Sequence, residues 1–438
     1  MFMLRRFGCG LALVALMGCA EDELILEGER FGLRDQVSSA DAATIATGEI
    51  ASFAAPAQVD HSAWTHRGGT VTHKITHPAL DSSLSQAWVR DIGAGNARKA
   101  RITADPIVAG GRIFTMDSAS RIAATGSDGA ALWARSLIPS TEKGPEVSGG
   151  GLAFGENTLI ATTAFGELFA LDATSGEVKW RQKLEAPVTS APTVHDGLVY
   201  VVSRDSRAWA LDLAQGRIRW QITGTPSNAN LVGGSGPVVA GRSVVFPFGS
   251  GELVAALAKS GIRVWGSSVA GQRRGRAYAS ISDISGDPVV HDGKNYAANQ
   301  AGRAVALNAA SGERLWSANE GAYSPMWPAG DSVFLISEQA ELIRLDAESG
   351  ARIWAIELPY FVKQRLKRRK AVFAHFGPVL AGGRLIVASD DGVLRQFDPE
   401  TGEALGEVAI PGGAASNPVV VDGTLYVVTA KGQLAAFR

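Results

Sequence analysis

An eleven-residue unit, Ala-x-Asp-x-x-x-Gly-x-x-x-Trp, recurs along the chain and leaves few folds open to it. It reads ALDATSGEVKW at 170–180, ALDLAQGRIRW at 210–220, ALNAASGERLW at 306–316 and RLDAESGARIW at 344–354. Looser copies are AATGSDGAALW at 123–133, ALAKSGIRVW at 256–265 and QFDPETGEALG at 396–406, with Leu405 at the tryptophan place. Trp88 stands alone upstream, so the anchors are Trp88, Trp133, Trp180, Trp220, Trp265, Trp316, Trp354 and Leu405. Their mean spacing of about 45 residues is the period of a propeller blade.

A second marker falls between the anchors: Pro or Gly, two apolar residues, a Gly turn, then an alternating apolar strand. DPIVAGGRIFTMD, APTVHDGLVYVVS, GPVLAGGRLIVAS and NPVVVDGTLYVVT are four of its eight copies. Asp-Gly and Gly-Gly supply the positive φ angles of a tight hairpin. In the segment that follows, Asp172 is placed to accept turn amides and Gly176 to take the left-handed position. A tryptophan at one place in every blade suits the wedge between neighbouring sheets better than a ligand-stacking surface. The chain ends at KGQLAAFR, a strand with no Trp strand after it, while Trp88 begins one with no strand before it. The two ends complement each other. The sequence therefore predicts an all-β, eight-bladed propeller of four-stranded antiparallel blades over 84–438, its ring closed by N- and C-terminal strands in one blade. A charged content of 19% with 51 glycines agrees with such a fold.

The first residues read as an address. Arg5 and Arg6 precede an apolar run from Phe7 to Met17, too short to span a bilayer. The run ends in Leu16-Met17-Gly18-Cys19, which resembles a lipobox, so Cys19 is the expected lipidation site and residues 1–18 the signal peptide. Acyl chains there would anchor the mature chain to a membrane, and Ala20, in place of aspartate, points to the outer membrane's periplasmic face. The only two cysteines are Cys9 and Cys19, so the body has no disulfide, no thiolate metal ligand and no cysteine nucleophile. Residues 19–83 lack periodicity and read as a mostly irregular tether. His61, His66, His73 and His77 crowd into it, but no standard metal-ligand spacing completes them; solvated or turn-capping roles are expected, and no metal.

The repeat, with Ala170-Leu171-Asp172 through Gly176 to Trp180, resembles the pyrroloquinoline-quinone propeller superfamily. Two of its branches are relevant. The quinoprotein alcohol dehydrogenases are larger and hold their quinone under a Cys-Cys disulfide with calcium-binding acids. This body has no cysteine, and its one vicinal acid pair, Asp390-Asp391, sits in a turn motif. The BamB branch, lipoproteins of the outer-membrane β-barrel assembly complex, is the better likeness over 84–438 and at Cys19. That resemblance implies a non-catalytic scaffold without cofactor. Its implied partners are POTRA domains of BamA, with other subunits and unfolded outer membrane proteins as further ones. It also implies contact residues: Leu231 at the family's apolar contact and Asp283 at its first acidic one. Val232 stands where the family has arginine, and Ser285 where it has a second acid. A quinone-dependent envelope enzyme and a propeller adaptor of another envelope complex are the alternatives.

One segment lies outside the repeat logic. Lys363, Arg365, Lys367, Arg368, Arg369 and Lys370 place six cations in eight residues, inside the long interval between Trp354 and Leu405. With a net charge of −1 the chain as a whole is not built for nucleic acid. The run reads as an inter-blade insertion, either solvated or facing anionic lipid or an acidic partner.

Overall fold

A computed structural model describes residues 51–438, apart from 141, 143–147, 228, 230, 270 and 272–280. The signal segment, Cys19 and the arginine-rich stretch at 272–280 lie outside the described residues.

Eight four-stranded antiparallel sheets follow one another along the chain. Seven are continuous in sequence, at 107–136, 152–183, 193–223, 238–268, 284–318, 327–357 and 375–409. These are blades 1 to 7. Blade 8 takes Val419–Val421, Thr424–Thr429 and Gln433–Phe437 from the C-terminus and its outer strand, Gln86–Asp91, from the N-terminal side. Ser85 and Arg438 exchange backbone hydrogen bonds of 2.7 and 3.0 Å where the covalent turn of other blades would be. The outer strands alternate exposed and half-buried residues, as in Val178–Lys183, whereas the two central strands of a blade are buried throughout or nearly so. The first hairpin of blade 3 shows how the sequence makes the turn: Asp196 and Gly197 have φ of 50° and 72°, the geometry of a two-residue turn matched to strand twist.

Each anchor tryptophan lies on a glycine of the next blade. Trp265 donates its indole N–H to Ala309 O at 3.1 Å, and a Cβ on Gly312 would come within 2.5 Å of its ring. The same pairing joins Trp88 to Gly129, Trp133 to Gly176, Trp180 to Gly216, Trp220 to Gly261, Trp316 to Gly350 and Trp354 to Gly402. The repeat thus encodes an interface: its glycine admits the tryptophan that precedes it by one blade. The eighth anchor read from the sequence, Leu405, is one residue off: Gly406 pairs with Gln396 as Trp180 pairs with Ala170, so a glycine stands at the tryptophan place, beside blade 8, whose outer turn is the gap between Arg438 and Ser85. Leu405, 55% exposed, takes the outward place that Lys179 holds in blade 2.

Residues 51–83 depart from the free tether read in the sequence. They are irregular in secondary structure, yet residues 61–78 run once around the inside of the ring. His61 O accepts the amide of Asp422 in blade 8, and Trp64 exchanges two 2.8 Å backbone bonds with Val108 in blade 1. Thr65 O accepts Phe154 N in blade 2, and His66 Nε2 accepts Val194 N in blade 3. Val71 and Thr72 carbonyls take Val239 N and Val290 N in blades 4 and 5. Lys74 Nζ sits 4.4 Å over the Trp327 ring in blade 6, and Pro78 O accepts Gly382 N in blade 7. The circlet then closes on itself through Val59 N to His77 O and Ala79 N to Val59 O, both 2.9 Å. Inner strands of a propeller leave edge amides facing the channel, and buried amides need partners; this segment provides them.

Three of the four histidines of that segment are accordingly not solvated. His66, His73 and His77 are buried and hydrogen-bonded, to Val194 N, Pro288 O and Pro56 O. Burial pushes His66 down to about 3, and holds His73 and His77 below the ordinary imidazole range. All three belong to packing.

Candidate partner-binding site

Strand direction alternates within each blade, so first and third turns emerge on one face of the ring. Second turns and inter-blade connections emerge on the other. The circlet lines the hairpin end of the channel. On the connection face the channel opens into a funnel of about 720 Å³, within the usual size of a ligand or peptide pocket.

The funnel floor is a buried ion-pair cluster. Arg67, from the circlet, lies 3.0 Å from Asp105 at the start of blade 1 and 3.0 Å from Asp287 at the start of blade 5. Blades 1 and 5 are opposite each other in an eightfold ring, so one guanidinium ties the two halves together. Asp105 also accepts the backbone and side-chain N–H of Asn417, both at 2.8 Å, and Asp287 accepts Gly236 N. Burial works against the Arg67 charge, but Asp287 and Asp105 outweigh it and raise its pKa further. His375, in the wall, bonds Ser389 Oγ at 2.7 Å and Pro359 O at 2.8 Å, and burial lowers its pKa. Glu338 accepts Gly321 N at 2.9 Å. Each of these groups is engaged by hydrogen bonds or ion pairs within the protein.

The residues taken from the sequence divide at this funnel. Leu231, Val232 and Ser285 all line it. Val232 is 56% exposed and Leu231 half-buried, which together form an apolar lip on the connection before blade 4. Asp283 and Ser285 do not present their side chains outward. The Asp283 carboxylate turns in and accepts the Leu231 amide at 2.7 Å, and Ser285 Oγ donates to Ala322 O. Burial raises Asp283 to about 6, against the opposing amide hydrogen bond. Its place is behind the lip, holding one connection to the next. Sequence reasoning missed Tyr323, 50% exposed on the connection before blade 6, Tyr360 and Val372 on the connection before blade 7, and Phe376 in the first strand of that blade. Tyr323 follows Gly-Ala in a stretch without strand pattern, so only the fold brings it to the funnel.

The family model described as "Outer membrane protein assembly factor BamB" matches residues 118–356 and 363–438. The chain belongs to the BamB family. It is 24% identical over 369 residues to BamB of Yersinia pestis, covering 82% of this chain and 91% of that one. BamB of Escherichia coli K12 is 24% identical over 346 residues, 78% and 85% of the two chains. Among solved structures, BamB from Moraxella catarrhalis superposes with a TM-score of 0.68 at 18% identity, over 81% of this chain and all of that one. The quinohemoprotein alcohol dehydrogenase of Comamonas testosteroni reaches 0.67 at 15% identity, over 86% of this chain and 80% of that one, a likeness of fold alone.

Proposed function

We propose that this BamB-family protein is a non-catalytic scaffold of the outer-membrane β-barrel assembly machinery. It is held at the periplasmic face of the outer membrane by acyl chains on Cys19. It binds POTRA domains of BamA through the connection face, keeps them oriented, and assists insertion of outer membrane proteins. The observation that carries this reading is the Leu231–Val232 lip: an exposed Val232 and a half-buried Leu231 on a loop fixed from behind by Asp283. A rigid apolar lip with Tyr323 beside the same funnel is what a partner's hot spot needs, since little order has to be imposed on binding. The lipid anchor adds affinity by confining the search to a surface. Absence of catalysis is supported by the funnel floor, where Arg67 engages both Asp105 and Asp287 and leaves neither as a free base.

Affinity purification from detergent-solubilised envelopes tests the reading. BamA is expected to co-purify with the wild-type chain, and a Leu231→Ala/Asp283→Ala variant should recover far less of it. Recovery of a different envelope complex without BamA would refute the assignment. A dye-linked dehydrogenase assay with added calcium and quinone should give no activity; turnover there would refute the scaffold reading.

A further inference from the structure

The cationic segment between blades 6 and 7 is an ordered hairpin. Val362 N bonds Ala371 O at 3.0 Å, Phe373 N bonds Tyr360 O at 2.9 Å, and a 3₁₀ turn, Leu366–Arg368, forms the tip. Arg369 lies 4.7 Å over the Phe361 ring and donates to Gln364 O at 3.0 Å. His375 fastens the base to Pro359 O. All six cations of 363–370 are exposed, and among the described residues no acid lies within 4.0 Å of any of them. Such a concentration of like charge repels itself, and folding alone gives no return for it.

The stalk of this hairpin is the wall of the funnel: Tyr360, Val372 and Phe373 line the cavity opposite the Leu231–Val232 lip. Val362 and Val372 are 45% and 49% exposed. Arg98, on the connection from blade 8 to blade 1, and Lys431, in the second turn of blade 8, are exposed on the same face. The mouth of the funnel is therefore apolar on one side and cationic on the other.

We infer that the partner seated on the Leu231–Val232 lip is held on its far side by this hairpin, and that it carries an acidic strip next to its apolar contact. The inference rests on the preceding reading of the lip as the partner surface and adds the chemistry of the partner. A folded protein edge fits the observations better than a bilayer. The cations border a concave, apolar funnel that a flat headgroup surface cannot fill, and the chain as a whole carries a net charge of −1, which gives a bilayer little else to attract. Charges at the rim of an interface act chiefly on the rate of encounter and on its salt dependence.

The test uses the mature chain in uncharged detergent and the purified POTRA domains of the cognate BamA. Association kinetics are recorded at about 0.05 M and about 1 M salt, where the Debye length shrinks to about 3 Å. One variant replaces all six cations by glutamine; a second keeps Arg369, which braces Phe361, so that loss of charge is separated from loosening of the hairpin. Both should associate at least about tenfold more slowly than wild type at low salt and converge on it at high salt. Wild-type binding with an unchanged salt response in both variants sinks this inference alone. No binding by the wild-type chain sinks the reading of the lip, and this one with it. Unchanged POTRA binding, with flotation on phosphatidylglycerol vesicles lost in the variants, would assign the hairpin to lipid and overturn the proposal.

Discussion

Replacing Arg67 by methionine removes the cation that, among the described residues, joins blades 1 and 5. The stem volume is kept, so the loss is electrostatic. Each carboxylate lies 3.0 Å from the guanidinium, with side-chain exposures of 14% for Arg67, 7% for Asp105 and 0% for Asp287. At an effective dielectric near 20 a contact of this kind is worth about 4 kcal/mol before desolvation. Cutting a buried pair and stranding its partner typically costs about 3–5 kcal/mol. The two acids do not share that cost equally. Asp105 keeps two hydrogen bonds from Asn417, while Asp287 keeps one from Gly236. Most of the loss should therefore arise at Asp287, and Asp287→Asn in the Arg67→Met background should return about half of it. The assay is urea unfolding followed by the fluorescence of the ten tryptophans, with all four members of the double-mutant cycle at pH 7. A loss below about 1 kcal/mol for Arg67→Met, or no recovery in the double variant, would refute the cross-ring tie.

Three further outcomes follow from the packing. Gly312→Ala places a Cβ within 2.5 Å of Trp265 at a φ of 72°, so unfolding should become easier by about 2–4 kcal/mol; an unchanged urea midpoint would contradict the glycine–tryptophan pairing. Gly406→Trp fills the tryptophan place beside blade 8, which has no covalent outer turn to cover, and should stay within about 0.5 kcal/mol of wild type; a large gain in melting temperature would contradict this account of the missing eighth tryptophan. His66 has a folded pKa of about 3, below its unfolded value of 6.5, so the unfolded chain binds the proton first as the pH falls. Its contribution is complete above 6.5 and is lost progressively down to about 3, at up to about 1.4 kcal/mol per pH unit. A His66→Gln variant should show a shallower decline between pH 6.5 and 4.5 than wild type, and parallel curves would count against a neutral buried imidazole.

The blades were legible because each one repeats its own instructions. A hairpin such as Asp196-Gly197, a turn such as Asp172 to Gly176, and the tryptophan after it are local in sequence, and the closure of blade 8 shows as an unfinished unit at each end. The circlet was not legible. Its bonds run from His73 to Pro288 and from His77 to Gly383, across hundreds of residues, and no periodicity marks a segment whose partners change from blade to blade. Arg67 was passed over for the same reason: its role exists only when blades 1 and 5 face each other. At the lip, sequence likeness brought Leu231, Val232, Asp283 and Ser285 to one place but not the direction of their side chains. An aspartate beside a loop reads as a surface charge; here the free amide of Leu231 draws it inward. The hairpin cations were visible as a run, but not that their stalk forms the funnel wall.

The claim that this face works by contact is tested most directly by the affinity of the mature chain for the POTRA domains of its BamA. Leu231→Asp/Val232→Asp puts two carboxylates on the apolar lip while leaving the ring intact, as circular dichroism and the urea midpoint should confirm. The dissociation constant should rise by about 100-fold or more, since each side chain at a hot spot is worth about 2 kcal/mol on truncation. A folded double variant that binds with wild-type affinity would contradict the account.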